Sequence, residues 1–324
     1  MGPETHLKSQ AIHAGNYPQL HVVVTCTHRK RLGAPLRLRL SSIRDRDVLA
    51  RGRQWVDRLR AEPAPEVPAS DLYAGDHWQV ALSLLSQSHP VQLWVASAGY
   101  GLVRFDQQLK PYSATFSPGP DSVLIHGRLE QRDRELRDWW KVITRANLGH
   151  SRPRTLRELA ASDPRAILLV ALSEPYVRAL RDDLAAARTK LRGSGKLLIV
   201  SAGTKHCPGL DENLLPVDAN LQIGVGGPRL SLNARIARHL VITSATHGWA
   251  TPAITESLSE VRSASTRHQS RIRLTDAKVM AFIKQSARQD KHASRSDLLH
   301  RLRSQGFACE QQRFASLFAK SRAT

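Results

Sequence analysis

The chain has 324 residues, with 48 Lys and Arg against 28 Asp and Glu, a formal charge of +20. Neutralising phosphates releases condensed counterions, so a surface this cationic points to a polyphosphate partner and away from a neutral small molecule as the main ligand. Three widely separated cysteines, Cys26, Cys207 and Cys309, exclude a disulfide framework and lack the paired spacing of a zinc or redox site.

The opening MGPETHLKSQ has no apolar signal core, and His6 stands where a myristoylation signal has Ser or Thr. No stretch approaches the roughly 20 apolar residues of a membrane span. The expected protein is cytoplasmic, with no membrane partner. Residues 1–19 read as a tail.

Five short apolar runs follow as expected strands: LHVVVTCT (20–27), VQLWVASA (91–98), AILLVALS (166–173), KLLIVSAG (196–203) and HLVITSAT (239–246). Near-continuous hydrophobic runs suit strands covered on both faces. Helical spacing lies between them at 47–60, 76–87, 174–191 and 230–240. Alternating strands and helices predict an α/β fold with a mainly parallel sheet over 20–250. Residues 251–270, rich in Ser, Thr and charge, read as a linker. Beyond it, 274–287, 294–305 and 310–320 predict three helices with Gly306 as a stop. This helix-turn-helix-like domain at 271–324 would offer Gln311, Gln312, Arg313, Ser316 and Lys320 to a major groove. Cations concentrate in two blocks. Residues 29–60 hold eleven Lys/Arg against three Asp, and 271–324 hold twelve against four acids.

All five runs end in small hydroxyl or glycine residues, where open parallel sheets bind ligands. The run at 91–98 leads into Ser97, Gly99, Tyr100 and Gly101, then Asp106 and the pair Pro111-Tyr112. Tyr100 and Tyr112 are candidates for stacking on a base, and Gly99 and Gly101 for close backbone approach, with Ser97 beside them. Thr27, Arg29 and Lys30 follow the first strand in a loop suited to phosphate. Nothing ties a histidine or aspartate to Cys26 by motif, so it reads as a structural thiol.

A second constellation, LLPVDANLQIGVGGPRLSLNARIARHL, places Asp218 and Asn220 before a glycine turn at 224–227. Asn233, Arg235 and Arg238 follow in the first turns of a helix. The turn lacks the Lys-Ser/Thr of a phosphate loop and the spacing of a dinucleotide fingerprint. An acid, amides and arginines suit cleavage of an N-glycosidic bond: a carboxylate answers the positive sugar, amides read a flipped base, and cations hold phosphates. Asp218, Asn220 and Asp106 are the candidate catalytic residues, Asn233 a base reader, and Asp76 a competing acid. Neither metal nor cofactor is required.

Cys26-Thr27-His28-Arg29-Lys30, LYAGDHW (72–78), SAGYGL (97–102), Asp106 and Pro111-Tyr112 occur in an order that resembles the YaaA-like superfamily. The similarity covers about a third of the chain, residues 20–125. It implies a DNA-binding α/β protein, with relatives linked to modified-base metabolism and to mobile or defence loci. On that basis Gly101, Asp106, Pro111 and Tyr112 inherit the signature positions. Three functions are open at this level: a DNA glycosylase for a modified base, acting against phage if the link to defence loci carries over; a non-catalytic DNA-binding, bending or regulatory protein; and a nucleoside or base-exchanging transferase.

Overall fold

Leu20–Thr25 (β1), six consecutive buried residues rich in Val, is the strand around which the sheet is ordered in the computed structural model. Residues 18–87, 90–126, 128–146, 148, 152–266, 272–290 and 293–322 are described. In chain order β1 is followed by α1 (Val48–Ala61), β2 (Val67–Pro68), α2 (Ala69–Leu72), α3 (Asp76–Leu82), β3 (Val91–Ser97), β4 (Gly101–Arg104) and β5 (Gln108–Leu109). Then come α4 (Leu129–Arg145), α5 (Leu156–Ser162), β6 (Ile167–Ala171), α6 (Glu174–Arg188), β7 (Leu197–Val200) and β8 (Leu214–Leu215). The remainder is α7 (Ala219–Val225), α8 (Leu232–His247), α9 (Thr251–Thr266), β9 (Ile272–Arg273), α10 (Asp276–Gln289), α11 (Arg295–Ser304), β10 (Phe307–Ala308) and α12 (Gln311–Arg322).

The central sheet has the order β4-β3-β1-β6-β7-β8. β1 pairs in parallel with β3 on one side and β6 on the other, and only β4 runs antiparallel, as a hairpin on β3. The chain therefore builds outward from β1 in one direction and returns to build in the other, which puts a topological switch point at the carboxyl ends of β1 and β6. A mixed α/β fold with a mostly parallel sheet is what the apolar runs predict.

Four of the five expected strands are present; the fifth is not. Residues 239–246 lie inside α8. Ala234, Ala237, Val241 and Ser244 are buried at helical spacing, and Thr243 Oγ1 donates to His239 O at 3.0 Å, so the β-branched residues are absorbed by a helix already under way. The expected linker at 251–270 is likewise corrected. It is helical through Thr266, with Ile254, Leu258 and Val261 buried four and three residues apart; 267–271 and the expected tail at 1–17 lie outside the described residues.

Chain contacts divide the protein into a larger unit, Met1–Leu258, and a smaller one, Ser259–Thr324. In the larger unit Trp55 of α1 and Trp139 of α4 pack in a tilted pair, ring centres 6.3 Å apart, and are fully buried. In the smaller unit Val279, Ile283, Leu298, Leu302, Phe314 and Leu317 close a core between α10, α11 and α12. Ser294 and Asp297 form a reciprocal cap at the start of α11, and β9 and β10 add a short parallel pair absent from the sequence reading.

Candidate functional site at the carboxyl ends of the sheet

Where β1 ends, the loop carrying Cys26 to Arg31 is zipped onto the segment before α3. Arg31 N donates to Leu72 O at 2.9 Å and Ala74 N to Arg29 O at 3.1 Å, while Thr27 Oγ1 turns inward to Arg29 O at 2.6 Å. Lys30 is drawn into the structure. Its Nζ donates to Thr27 O at 3.2 Å and lies 4.2 Å from the centre of the Tyr112 ring. Desolvation lowers the Lys30 pKa, against the pull of Cys26 and Asp121. Arg29 remains exposed.

Beneath this loop lies a network of buried hydroxyls. Tyr112 OH is 2.7 Å from Ser97 Oγ and 2.9 Å from Tyr73 OH. Ser97 Oγ accepts from Gly99 N and Tyr100 N, and so shapes the turn into β4. Cys26 Sγ lies 3.0 Å from the hydroxyl of Tyr176, near the start of α6. Burial raises Tyr73, Tyr112 and Tyr176 well above the ordinary phenol, and the neighbouring Cys26 sulfur adds to this. The network holds neutral phenols.

Tyr112 and Tyr100 are 1% and 6% exposed, and Ser97 is fully buried. Their expected role as base-stacking residues is corrected accordingly: neither ring offers a free face. Tyr100 OH donates to Lys110 O and accepts from Lys110 N, closing the loop after β4. The two glycines serve packing. A Cβ at Gly99 would stand 2.5 Å from Tyr112 Cδ2. Gly101 has φ +80 and would meet Thr144 Cγ2 at 3.0 Å. Trp55 and Trp139 donate to Gly99 O and Ala98 O at 2.9 and 2.7 Å, so the turn is fastened from both α1 and α4.

The start of α8 reaches the same pole. Asn233 Oδ1 accepts from Ala202 N after β7, and its Nδ2 donates to Leu172 O after β6, both at 2.8 Å. Arg235 Nη2 contacts both oxygens of Asp76, and its Nε donates to Ser231 Oγ. Hydrogen bonds from Ser231 and then Arg235 hold the Asp76 carboxyl below its ordinary range. Next to it His77 Nε2 lies 3.1 Å from Thr25 O. Its Nδ1 is buried without a partner among the described residues, and burial lowers its pKa.

The remaining candidates lie elsewhere in their elements. Asp218 is the N-cap of α7, with Oδ1 accepting from Leu221 N at 3.0 Å, and Asn220 is half-buried within that helix. Gly226 and Gly227, both at positive φ, turn the chain so that Gly227 packs on the Arg235 guanidinium. Asp106 pairs with Arg104 at 2.6 Å on an exposed edge, and Arg238 is exposed on α8. In the smaller unit Gln312 and Lys320 are exposed on α12, while Arg313 is bound by Asp276 and by Leu274 O. The structure thus joins Thr27, Lys30, Ser97, Tyr112, Asn233 and Arg235 at one pole, while Asp218 caps α7 and Asp106 pairs with Arg104. The sequence reading missed Tyr73, His77 and Tyr176; Tyr176 could have been found from its place three residues beyond Ser173, at a strand's carboxyl end.

Among the described residues no three His, Cys, Asp or Glu side chains gather as a metal site. No protein-family model matches the chain, and no curated protein matches it.

Proposed function

We propose that the chain is a DNA-binding protein that lays phosphate over the loops at the carboxyl ends of its sheet. The observation that carries this reading is a set of unneutralised cations on those loops. Arg29 after β1 and Lys205 after β7 are exposed and have no carboxylate partner among the described residues, in a chain of net charge +20. Cations without internal partners are free to replace counterions on a phosphate backbone. The exposed Gln311, Gln312 and Lys320 of α12 support a nucleic-acid-reading role for the smaller unit, the part expected from the helix-turn-helix-like pattern. The test is fluorescence anisotropy with a labelled duplex over a range of salt. Affinity should fall steeply with salt, by roughly 0.9 in log–log slope per phosphate contact. No binding at about 50 mM salt, or binding insensitive to salt, overturns the reading.

A second reading, cleavage of the N-glycosidic bond of a modified base in defence against phage, draws on the YaaA-like resemblance and on Asp76. Its carboxylate stays ionised, is 46% exposed, and stands beside the Arg29 loop. Such a group stabilises a positively charged sugar. Modified and plain duplexes assayed for alkali-labile sites decide it. Asp76→Asn should abolish cleavage while Asp218→Asn and Asp106→Asn retain it; intact strands on every substrate reject the reading.

A further inference from the structure

We infer that a second cationic feature of the larger unit, the cleft between α4, α5 and α6, is a track for the phosphodiester backbone of nucleic acid. This deepens the DNA-binding reading and rests on it. The cleft encloses about 730 Å³ and is lined by seven Lys and Arg against three acids.

The acids are already engaged. Asp182 accepts from Lys141 at 3.0 Å, with Arg137 at 3.8 Å. Glu158 takes Arg152 Nη1 at 2.7 Å and the Arg154 backbone N at 2.8 Å. Asp183 is a staple rather than a counter-charge: it accepts from Trp140 Nε1, Leu156 N and Arg157 N at 2.9–3.0 Å. Burial raises its pKa, weakening its hold as an anion. Arg145, Arg157 and Lys190 are exposed at the cleft and have no carboxylate partner among the described residues. Arg154 donates Nη1 to Ala146 O at 2.9 Å, while its buried Nε–H has no acceptor among the described residues.

The wall of the cleft is fixed to the sheet. Leu102 N donates to Arg154 O at 3.3 Å, and Gly101 lies against Thr144, so the hairpin turn of β3 and β4 supports both sides of the arginine row. Five of the seven cations are arginines, whose planar guanidinium matches the paired oxygens of a phosphate. Among the described residues Trp140 is the one aromatic that lines it; it is 3% exposed and its N–H is held by Asp183. Among the described residues the cleft therefore offers charge and no free ring for a base. It grips backbone without reading sequence.

The test is anisotropy of the full chain on a labelled duplex, comparing wild type with a triple variant, Arg145→Gln, Arg157→Gln and Lys190→Gln. Among the described residues these side chains hold no ion pair, so the fold is expected to be retained, which thermal unfolding checks. A second triple, Arg44→Gln, Arg46→Gln and Arg53→Gln, removes the same charge from exposed positions outside the cleft. The cleft variant should lose on the order of tenfold or more in affinity and about 2 to 3 in salt slope, well beyond the control. Equal losses in both triples overturn the inference and leave the DNA-binding reading standing. Failure of the wild-type chain to bind DNA overturns both. ATP titrated at matched ionic strength separates the two phosphate sources: cleft-dependent ATP binding without cleft-dependent DNA binding overturns the backbone assignment.

Discussion

Arg235 on α8 reaches Asp76 at the start of α3 with one terminal nitrogen, 2.9 Å from Oδ1 and 3.0 Å from Oδ2. Across 159 residues of sequence this contact ties the first turn of α8 to the start of α3.

The pH dependence of that contact follows from the Asp76 carboxyl, held below its ordinary value of 3.8 in the folded chain. Its stabilisation is fully present above 3.8 and is lost as pH falls through the lower folded value. With the side chain 46% exposed, Asp76→Asn should cost less than about 1 kcal/mol at pH 7. Urea titrations should show the gap between wild type and variant closing below pH 3.8. A gap that persists at pH 2 refutes the assignment.

Gly99 and Tyr112 form a mutually exclusive pair in volume. Gly99→Ala should destabilise by roughly 1–3 kcal/mol or more, because its Cβ meets the ring at 2.5 Å. Combined with Tyr112→Leu, the loss should be smaller than the sum of the two single changes. Additive losses in denaturant unfolding would show that the ring does not set the glycine.

Asn233 ties α8 to the ends of β6 and β7 with both halves of its amide. Asn233→Ala should cost about 1–3 kcal/mol by leaving Ala202 N and Leu172 O unpaired. Asn233→Asp should be worse at pH 7 than at pH 4, since an ionised oxygen would face the Leu172 carbonyl. A pH-independent penalty rejects that geometry.

His21 and His77 are both held below their ordinary 6.5, chiefly by burial, with Asp163 and Asp76 respectively pulling the other way. The folded chain keeps them neutral while the unfolded chain protonates them. Stability should therefore fall as pH drops from 7 to 5, by at most roughly 1.4 kcal/mol per pH unit for each group. His77→Gln should shallow that slope. Imidazole resonances of His77 that titrate at 6.5 in the folded protein would contradict the burial argument.

The strands β1, β3, β6 and β7 were legible because a doubly covered strand is written as one unbroken apolar run, as in LHVVVT. Residues 239–246 carry the same signature and are helical, because helix propagation from Leu232 and burial of Leu240 and Val241 outweigh β propensity. The stripe Ile254, Leu258, Val261 was present in the sequence at helical spacing but hidden among Ser and Thr. The carboxyl ends of β1, β6 and β7 were legible from the small residues that close their runs, and Lys30, Asn233 and Arg235 lie around them. That Tyr100 and Tyr112 face inward was not readable, since an aromatic beside a glycine suits a stacking loop and a packed turn equally.

By itself the sequence settled the net charge, the apolar runs and the helical stretches beginning at Asp47 and Ser294, whose side chains accept from backbone groups three residues on. These depend on neighbours within a helical turn. Only the tertiary structure decided which cations lack an acid, which rings are buried, and that Cys26 meets Tyr176 from 150 positions away. Pairing and burial depend on where distant segments are brought together, and no local pattern of residues encodes that distance.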